Sequence, residues 1–306
     1  PLGLVHGFMG GAAQWQGQRE ALRAGRDIIT PDLPGFGANN AATAPTRIAD
    51  YAAFVLDSLS AQGIERFDLL GHSMGGMIVQ EMVALAPERV RKLVLYGTGA
   101  FSNVEGRFET YEESKRRAQA DGARATARRI AATWFRQGEH APGYEACAAI
   151  AEQASLQAIH AGIDAFGNWS REANLPDITS PTLIIWGEHD KSYAWSQIEQ
   201  LWPTANASAV ELVPDVSPDD QSPLEFEFVD LAEEREETPV SDQVPLSDLD
   251  RRAHGGEGEA AAEGWSPPPP SEAAMRKTTI ETSRMAKMAM PAVMTTEISP
   301  SVSSPR

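Results

Sequence analysis

The chain has 306 residues, 42% of them hydrophobic, enough to bury a real core as one large domain or two small ones. A formal net charge of -17 repels polyanions and excludes nucleic acid as a partner, while the one cysteine, Cys147, allows neither an intrachain disulfide nor a thiolate zinc cluster. No apolar run approaches the roughly 20 residues of a membrane span and no signal-peptide layout opens the sequence, so a cytoplasmic protein without a membrane partner is expected.

Up to about Asp215, short apolar runs bounded by Gly and Pro alternate with segments of helical period, the pattern of βαβ units stacked on a parallel sheet. Strands are predicted over residues 2–5, 27–30, 67–70, 92–96 and 182–186, with a weaker sixth over 208–213. Between the second and third, Ile48, Tyr51, Ala52, Val55, Leu56 and Leu59 fall at helical spacing and give a crossover helix one apolar face. Residues 77–85 are apolar nearly all round, so their helix should be the most buried, and Pro87 should end it. Residues 101–175 turn to charged, Ala-rich helical stretches with no strand, which predicts a helical cap inserted between two strands. Its Arg116, Arg117, Arg124, Arg128 and Arg129 read as a solvated helix face. Its Trp134, Phe135, Phe166 and Trp169 read equally as pocket lining or as helix-packing core. Beyond residue 215 the class changes: Val216 to Arg306 carries 18 acidic and 8 basic residues and 11 of the 21 prolines, without the periodicity that buries surface. Disorder is the expectation there.

The reactive candidate is Gly71-His72-Ser73-Met74-Gly75. A G-x-S-x-G string alone is a weak signal, but this one follows a predicted strand directly and opens a helix at Met74, the arrangement that holds a serine Oγ out from a sheet edge. The flanking glycines suit so sharp a turn, where a side chain would clash. Attack of Ser73 on a carbonyl creates an oxyanion, which backbone N–H groups can receive. Met74 N–H, at the start of a helix, is one natural donor, and Phe8 N–H in the loop His6-Gly7-Phe8-Met9-Gly10-Gly11 is the other. His6 itself reads as an organiser of that loop.

These motifs, in this order, resemble the α/β-hydrolase superfamily over about 215 residues. The matching stretches are His6-Gly7-Phe8, Asp32-Leu33-Pro34-Gly35-Phe36-Gly37, the elbow at Ser73, and Ile185-Trp186-Gly187-Glu188-His189-Asp190. The spelling is similar to small esterases, enol-lactonases and ring-cleavage carbon–carbon hydrolases. The resemblance implies a mostly parallel, doubly wound sheet in two parts, residues 1–100 and 176–215, with the cap over 101–175 and a disordered or mis-framed tail over 216–306. It implies Ser73 as nucleophile and Asp190 as triad acid, acting on a small ester, lactone or vinylogous ketone with no metal or organic cofactor. The alternative role for Asp190 is to cap the helix that follows. A small-molecule substrate is the expected partner, and a homo-oligomer stays open.

The histidine that relatives carry after the last strand is absent. Pro214-Asp215 leads instead into Val216-Ser217-Pro218, and Pro223-Leu224-Glu225 is the trace of a following helix. Past Asp190 the only histidine is His254, a weak candidate base with no strand to present it. His189 adjoins the acid, and His72 inside the elbow reads as packing. A frameshift near residue 216 and a missing front, where relatives carry two further strands, would explain the departures. The competing reading is therefore a non-catalytic binding scaffold of the same fold, or a defective gene copy.

Overall fold

The computed structural model describes residues 1–102, 109–187, 190, 192–204 and 207–213. The expected tail over 216–306, His254, His189 and the trace at 223–225 lie outside the described residues. Six strands form one sheet in the order β2-β1-β3-β4-β5-β6, every neighbouring pair parallel: β1 (Leu2–Val5), β2 (Ile28–Ile29), β3 (Phe67–His72), β4 (Val90–Tyr96), β5 (Thr182–Gly187) and β6 (Ala207–Val213). The chain steps outward from β1 to β2, then crosses back to lay β3 on the other side of β1. That reversal makes the carboxyl ends of β1 and β3 a topological switch point, the place where parallel sheets bind ligands.

Five strands differ in length from their sequence expectation, β4 by starting at Val90 and β5 and β6 by one residue each, and two of the differences shape the sheet near the site. β2 shrinks to two residues at the sheet edge, although Asp27 still accepts the Leu2 N–H at 2.8 Å. β3 runs on to His72, because Gly71 pairs with Val5 on one side and His72 with Tyr96 on the other. The strand therefore delivers the chain directly to Ser73.

Alternation along the strands sorts side chains onto two faces. Leu2, Leu4, Leu70, Val94 and Ile185 join Trp15 and Leu22 of the segment holding helix α1 (Gln16–Leu22). Val5, Leu69, Leu93, Leu95, Ile184 and Trp186 join α2 (Ile48–Ala61) and α3 (Met74–Leu85). All six residues of the predicted stripe on α2 are buried. Helix α3 buries Met74 through Gln80, Met82 and Val83, leaving Leu85 as its exposed apolar end before Pro87.

Among the described residues, four α-helices lie between β4 and β5, α4 (Tyr111–Asp121), α5 (Ala123–Thr133), α6 (Tyr144–Ala151) and α7 (Leu156–Gly167); β5 is followed by α8 (Trp195–Thr204). Thr110 and Ser155 cap α4 and α7, each Oγ accepting an N–H at 3.1 Å from three residues on. The arginines are paired with acids while Arg116 and Arg124 stay 77% and 78% exposed: Arg128 bridges Glu145 at 2.6 Å and Glu152 at 2.9 Å, and Arg124 joins Glu152 at 3.2 Å. Phe135 and Trp169 are buried in packing, whereas Phe166 touches Tyr111 and Phe8, with centroids 5.7 and 5.1 Å away.

The insertion leaves and rejoins the sheet at one place. Phe101 and Ser170 form an antiparallel bridge, and Arg171 N–H donates to Ala100 O at 2.7 Å. From α3, Glu81 clamps the returning leg: its carboxylate accepts the Trp169 indole N–H at 2.8 Å and faces Arg171 Nη1 at 3.5 Å, with side chains only 14% and 15% exposed. Glu81→Ala strands the indole and the guanidinium, so a loss of about 3 kcal/mol is expected. Arg116→Ala, at a side chain 77% exposed, should cost less than about 0.5 kcal/mol. Urea denaturation followed by tryptophan fluorescence compares the two variants.

Candidate active site

Ser73 stands at the turn from β3 into α3 with φ 53° and ψ -120°, one of two non-glycine residues at positive φ among those described. Such a backbone is held only by its surroundings. Ser73 N–H donates to Tyr96 O at 3.1 Å, while its own carbonyl accepts from Thr98 Oγ1 and Gly76 N–H, both at 2.8 Å. Gly75 lets α3 press onto the end of β1: a Cβ there would overlap Val5 O and meet His6 O at 2.6 Å. A Cβ on Gly71 would meet the Gly75 carbonyl carbon, also at 2.6 Å. The two outer glycines of the pentapeptide thus serve close approach, with the positive φ falling on the serine between them.

The second positive φ, 59°, belongs to Met9 in the loop after β1. This loop rests on the serine, since a Cβ at Gly7 would lie 3.1 Å from Ser73 Cβ. His6 shapes it. Leu33 N–H donates to His6 Nε2 at 3.1 Å, so the proton sits on Nδ1 and is given to Gly7 O at 2.8 Å. Burial pushes the His6 imidazole down to about 4, and with both nitrogens engaged by backbone it is neutral scaffolding. Among the described residues, neither Phe8 N–H nor Met74 N–H is taken by a protein acceptor. The Phe8 ring turns toward α7, packing on Phe36 and Phe166.

His72 is packed among aromatic rings beside the elbow. Its ring lies against Tyr96 at 5.0 Å and edge-on to Trp15 at 6.4 Å, and burial, helped by nearby His6, lowers it to about 4. His160 reaches Lys115 O at 3.2 Å, within the insertion.

Asp190 follows β5 and splits its work between its two oxygens. Oδ1 accepts the N–H groups of Ser192 at 2.7 Å and Tyr193 at 3.0 Å, folding the loop before α8. Oδ2 is buried and has no hydrogen-bond partner among the described residues. Burial drives the carboxyl up to about 6, against the pull of the two backbone donors. The local turn-forming role and a free acceptor for another donor therefore coexist in one side chain.

The contact of the Ser73 hydroxyl that sequence reasoning missed is Tyr193. Its hydroxyl lies 3.3 Å from Ser73 Oγ, the one hydrogen-bond partner of that oxygen among the described residues. The available signal was position: an aspartate that accepts from residues two and three ahead turns the chain back on itself. A surface cavity of about 270 Å³ lined by Tyr111, Lys115, Ile163 and Asp164 includes none of these groups. Among the described residues no helix is long and apolar enough to cross a membrane.

A family model described as alpha/beta hydrolase fold matches residues 1–218. The chain is 28% identical over 220 residues to the protein named carbamate hydrolase RutD of Azorhizobium caulinodans, taking in 69% of this chain and 82% of that one. A hydrolase from Pseudomonas aeruginosa PA01 is similar with a TM-score of 0.64 at 25% identity, covering 71% of this chain and 82% of that one. The enol-lactonase from Burkholderia xenovorans LB400 shares the fold, with a TM-score of 0.63 at 20% identity over 71% of this chain and 84% of its own.

The raised carboxyl of Asp190 has a stability consequence. An unfolded aspartate titrates near about 3.9, so between that pH and about 6 the folded chain holds a proton that the unfolded chain has released. Stability from this group is complete below pH about 4 and falls as pH rises through 6, by at most about 3 kcal/mol. Asp190→Asn should flatten that slope. Denaturation midpoints of the two chains matched at pH 4 are expected to separate at pH 7, the variant being the more stable; parallel curves would assign the slope to other groups.

Proposed function

Because the chain belongs to the α/β-hydrolase family, we propose that it hydrolyses a small ester, lactone or vinylogous ketone by acyl transfer to Ser73, with water then releasing the acid. The observation that carries this reading is the backbone at Ser73, a positive φ braced by Tyr96, Thr98 and a glycine-cleared approach to β1. Strain of that kind at a crevice favours a reactive role over an incidental turn. Phe8 N–H and Met74 N–H are the proposed oxyanion donors, the second aided by the positive end of α3.

Asp190 is the proposed acid of the triad. Its unpartnered Oδ2 is where an imidazole N–H would dock, fixing the ring and stabilising its charged form. His254, the weak candidate for that imidazole, would have to come from outside the described residues. Carbamates join the candidate substrates through the likeness to RutD, which is named as a carbamate hydrolase. No metal or organic cofactor enters the proposed reaction, and its place is the cytoplasm.

A second reading is favoured by a specific observation: among the described residues no histidine nitrogen bonds Ser73 Oγ or Asp190 Oδ2. On that reading the chain is a binding scaffold, or a defective copy, and its serine is inert. A fluorophosphonate separates the two. Intact-mass and peptide analysis should find one adduct, on Ser73, with none in Ser73→Ala, and turnover of p-nitrophenyl acetate should fall about 10³-fold or more in that variant. A folded chain that stays unlabelled belongs to the second reading.

A further inference from the structure

The proposed acid and the hydroxyl at Ser73 belong to one loop, and the loop is built to hold Tyr193. Its N–H donates to Asp190 Oδ1 at 3.0 Å and its carbonyl accepts the Trp186 indole N–H at 2.8 Å. Its ring is seated on bare backbone, where a Cβ at Gly99 would come within 3.3 Å of Cδ1. Three anchors, from β5, the acid and the segment following β4, thus fix a half-buried side chain with its hydroxyl 3.3 Å from Ser73 Oγ.

We propose that Tyr193 is a positioning residue for the Ser73 nucleophile, its phenolic hydroxyl donating to Oγ; the inference rests on the reading of Ser73 as the nucleophile. A phenol is a far stronger acid than an alcohol, so Tyr193 is the natural donor and Oγ the acceptor. The serine proton stays available to a base, while one lone pair of Oγ is pinned. Without that bond the side chain samples three staggered wells and presents any one of them part of the time. The distance exceeds the about 2.7–2.8 Å of a good O–H···O bond and stays within hydrogen-bond reach. Asp190 then acts on the serine by two routes, through the acceptor at Oδ2 and through the turn that Oδ1 imposes on Tyr193.

Tyr193→Phe removes only the hydroxyl, leaving the ring, the N–H and the carbonyl in place. The second-order rate of fluorophosphonate labelling at Ser73 is expected to fall about tenfold, with the thermal midpoint unchanged. A spectroscopic reading separates positioning from packing. In a chain labelled with ζ-13C tyrosine, the resonance lost in Tyr193→Phe identifies this ring, and Ser73→Ala should shift it at neutral pH. Equal labelling rates in the parent chain and Tyr193→Phe, or a resonance indifferent to Ser73→Ala, overturn the positioning role while leaving the nucleophile intact. A folded parent chain that never labels is a different failure: it overturns the acylation reading, and the positioning role with it.

Discussion

A serine at φ 53° cannot rest in that conformation unaided, and much of the surrounding architecture reads as the means of holding it. The parallel sheet reverses its winding between β1 and β3, so β3 ends at the switch point where parallel sheets bind ligands. Gly75 then lets α3 close onto Val5 and His6, and Thr98 takes the serine carbonyl from the far side. His6, neutral and buried, ties the loop after β1 to Leu33 so that Gly7 can rest on the serine. Each contact has a local cause, and each depends on the others for its geometry.

The acid side of the site is arranged on a different principle. Ser73 is positioned by backbone, whereas Asp190 is positioned by its own side chain, which spends one oxygen on the loop it belongs to. Burial then makes the second oxygen costly to ionise without a partner. A carboxylate in that state is poised to gain from any donor brought to it. The same loop carries Tyr193 to the serine, so acid and hydroxyl share one support.

What could be read from the sequence follows from how local each signal is. The stripe on α2 was legible to the residue because a 3.6-residue period needs nothing beyond the helix itself. The elbow was legible because strand, pentapeptide and helix are contiguous. Contacts between distant positions were not. The Glu81 and Trp169 clamp joins residues 88 apart, and the Tyr193 and Ser73 contact joins residues 120 apart. Neither pair leaves a pattern in either neighbourhood. The arginines of the insertion keep much of the exposure expected of them, Arg116 at 77% and Arg124 at 78%, but the pairing of Arg128 of α5 with Glu145 and Glu152 of the α6 region was not legible, since those acids sit on another helix. β2 retreats to Ile28 and Ile29, the two residues that pair with β1, a limit that the apolar run in the sequence does not mark.

The bridge between Phe101 and Ser170 bears on how such a molecule can change over time. Departure and return of the insertion coincide at one doorway, so its described helices, α4 to α7, are tethered to the sheet as a cassette. Lineages could lengthen, shorten or replace that cassette without disturbing strand register or the turn at Ser73. The bonding centre and the surroundings it meets are thereby free to be inherited on separate schedules, the one conserved by geometry and the other open to experiment.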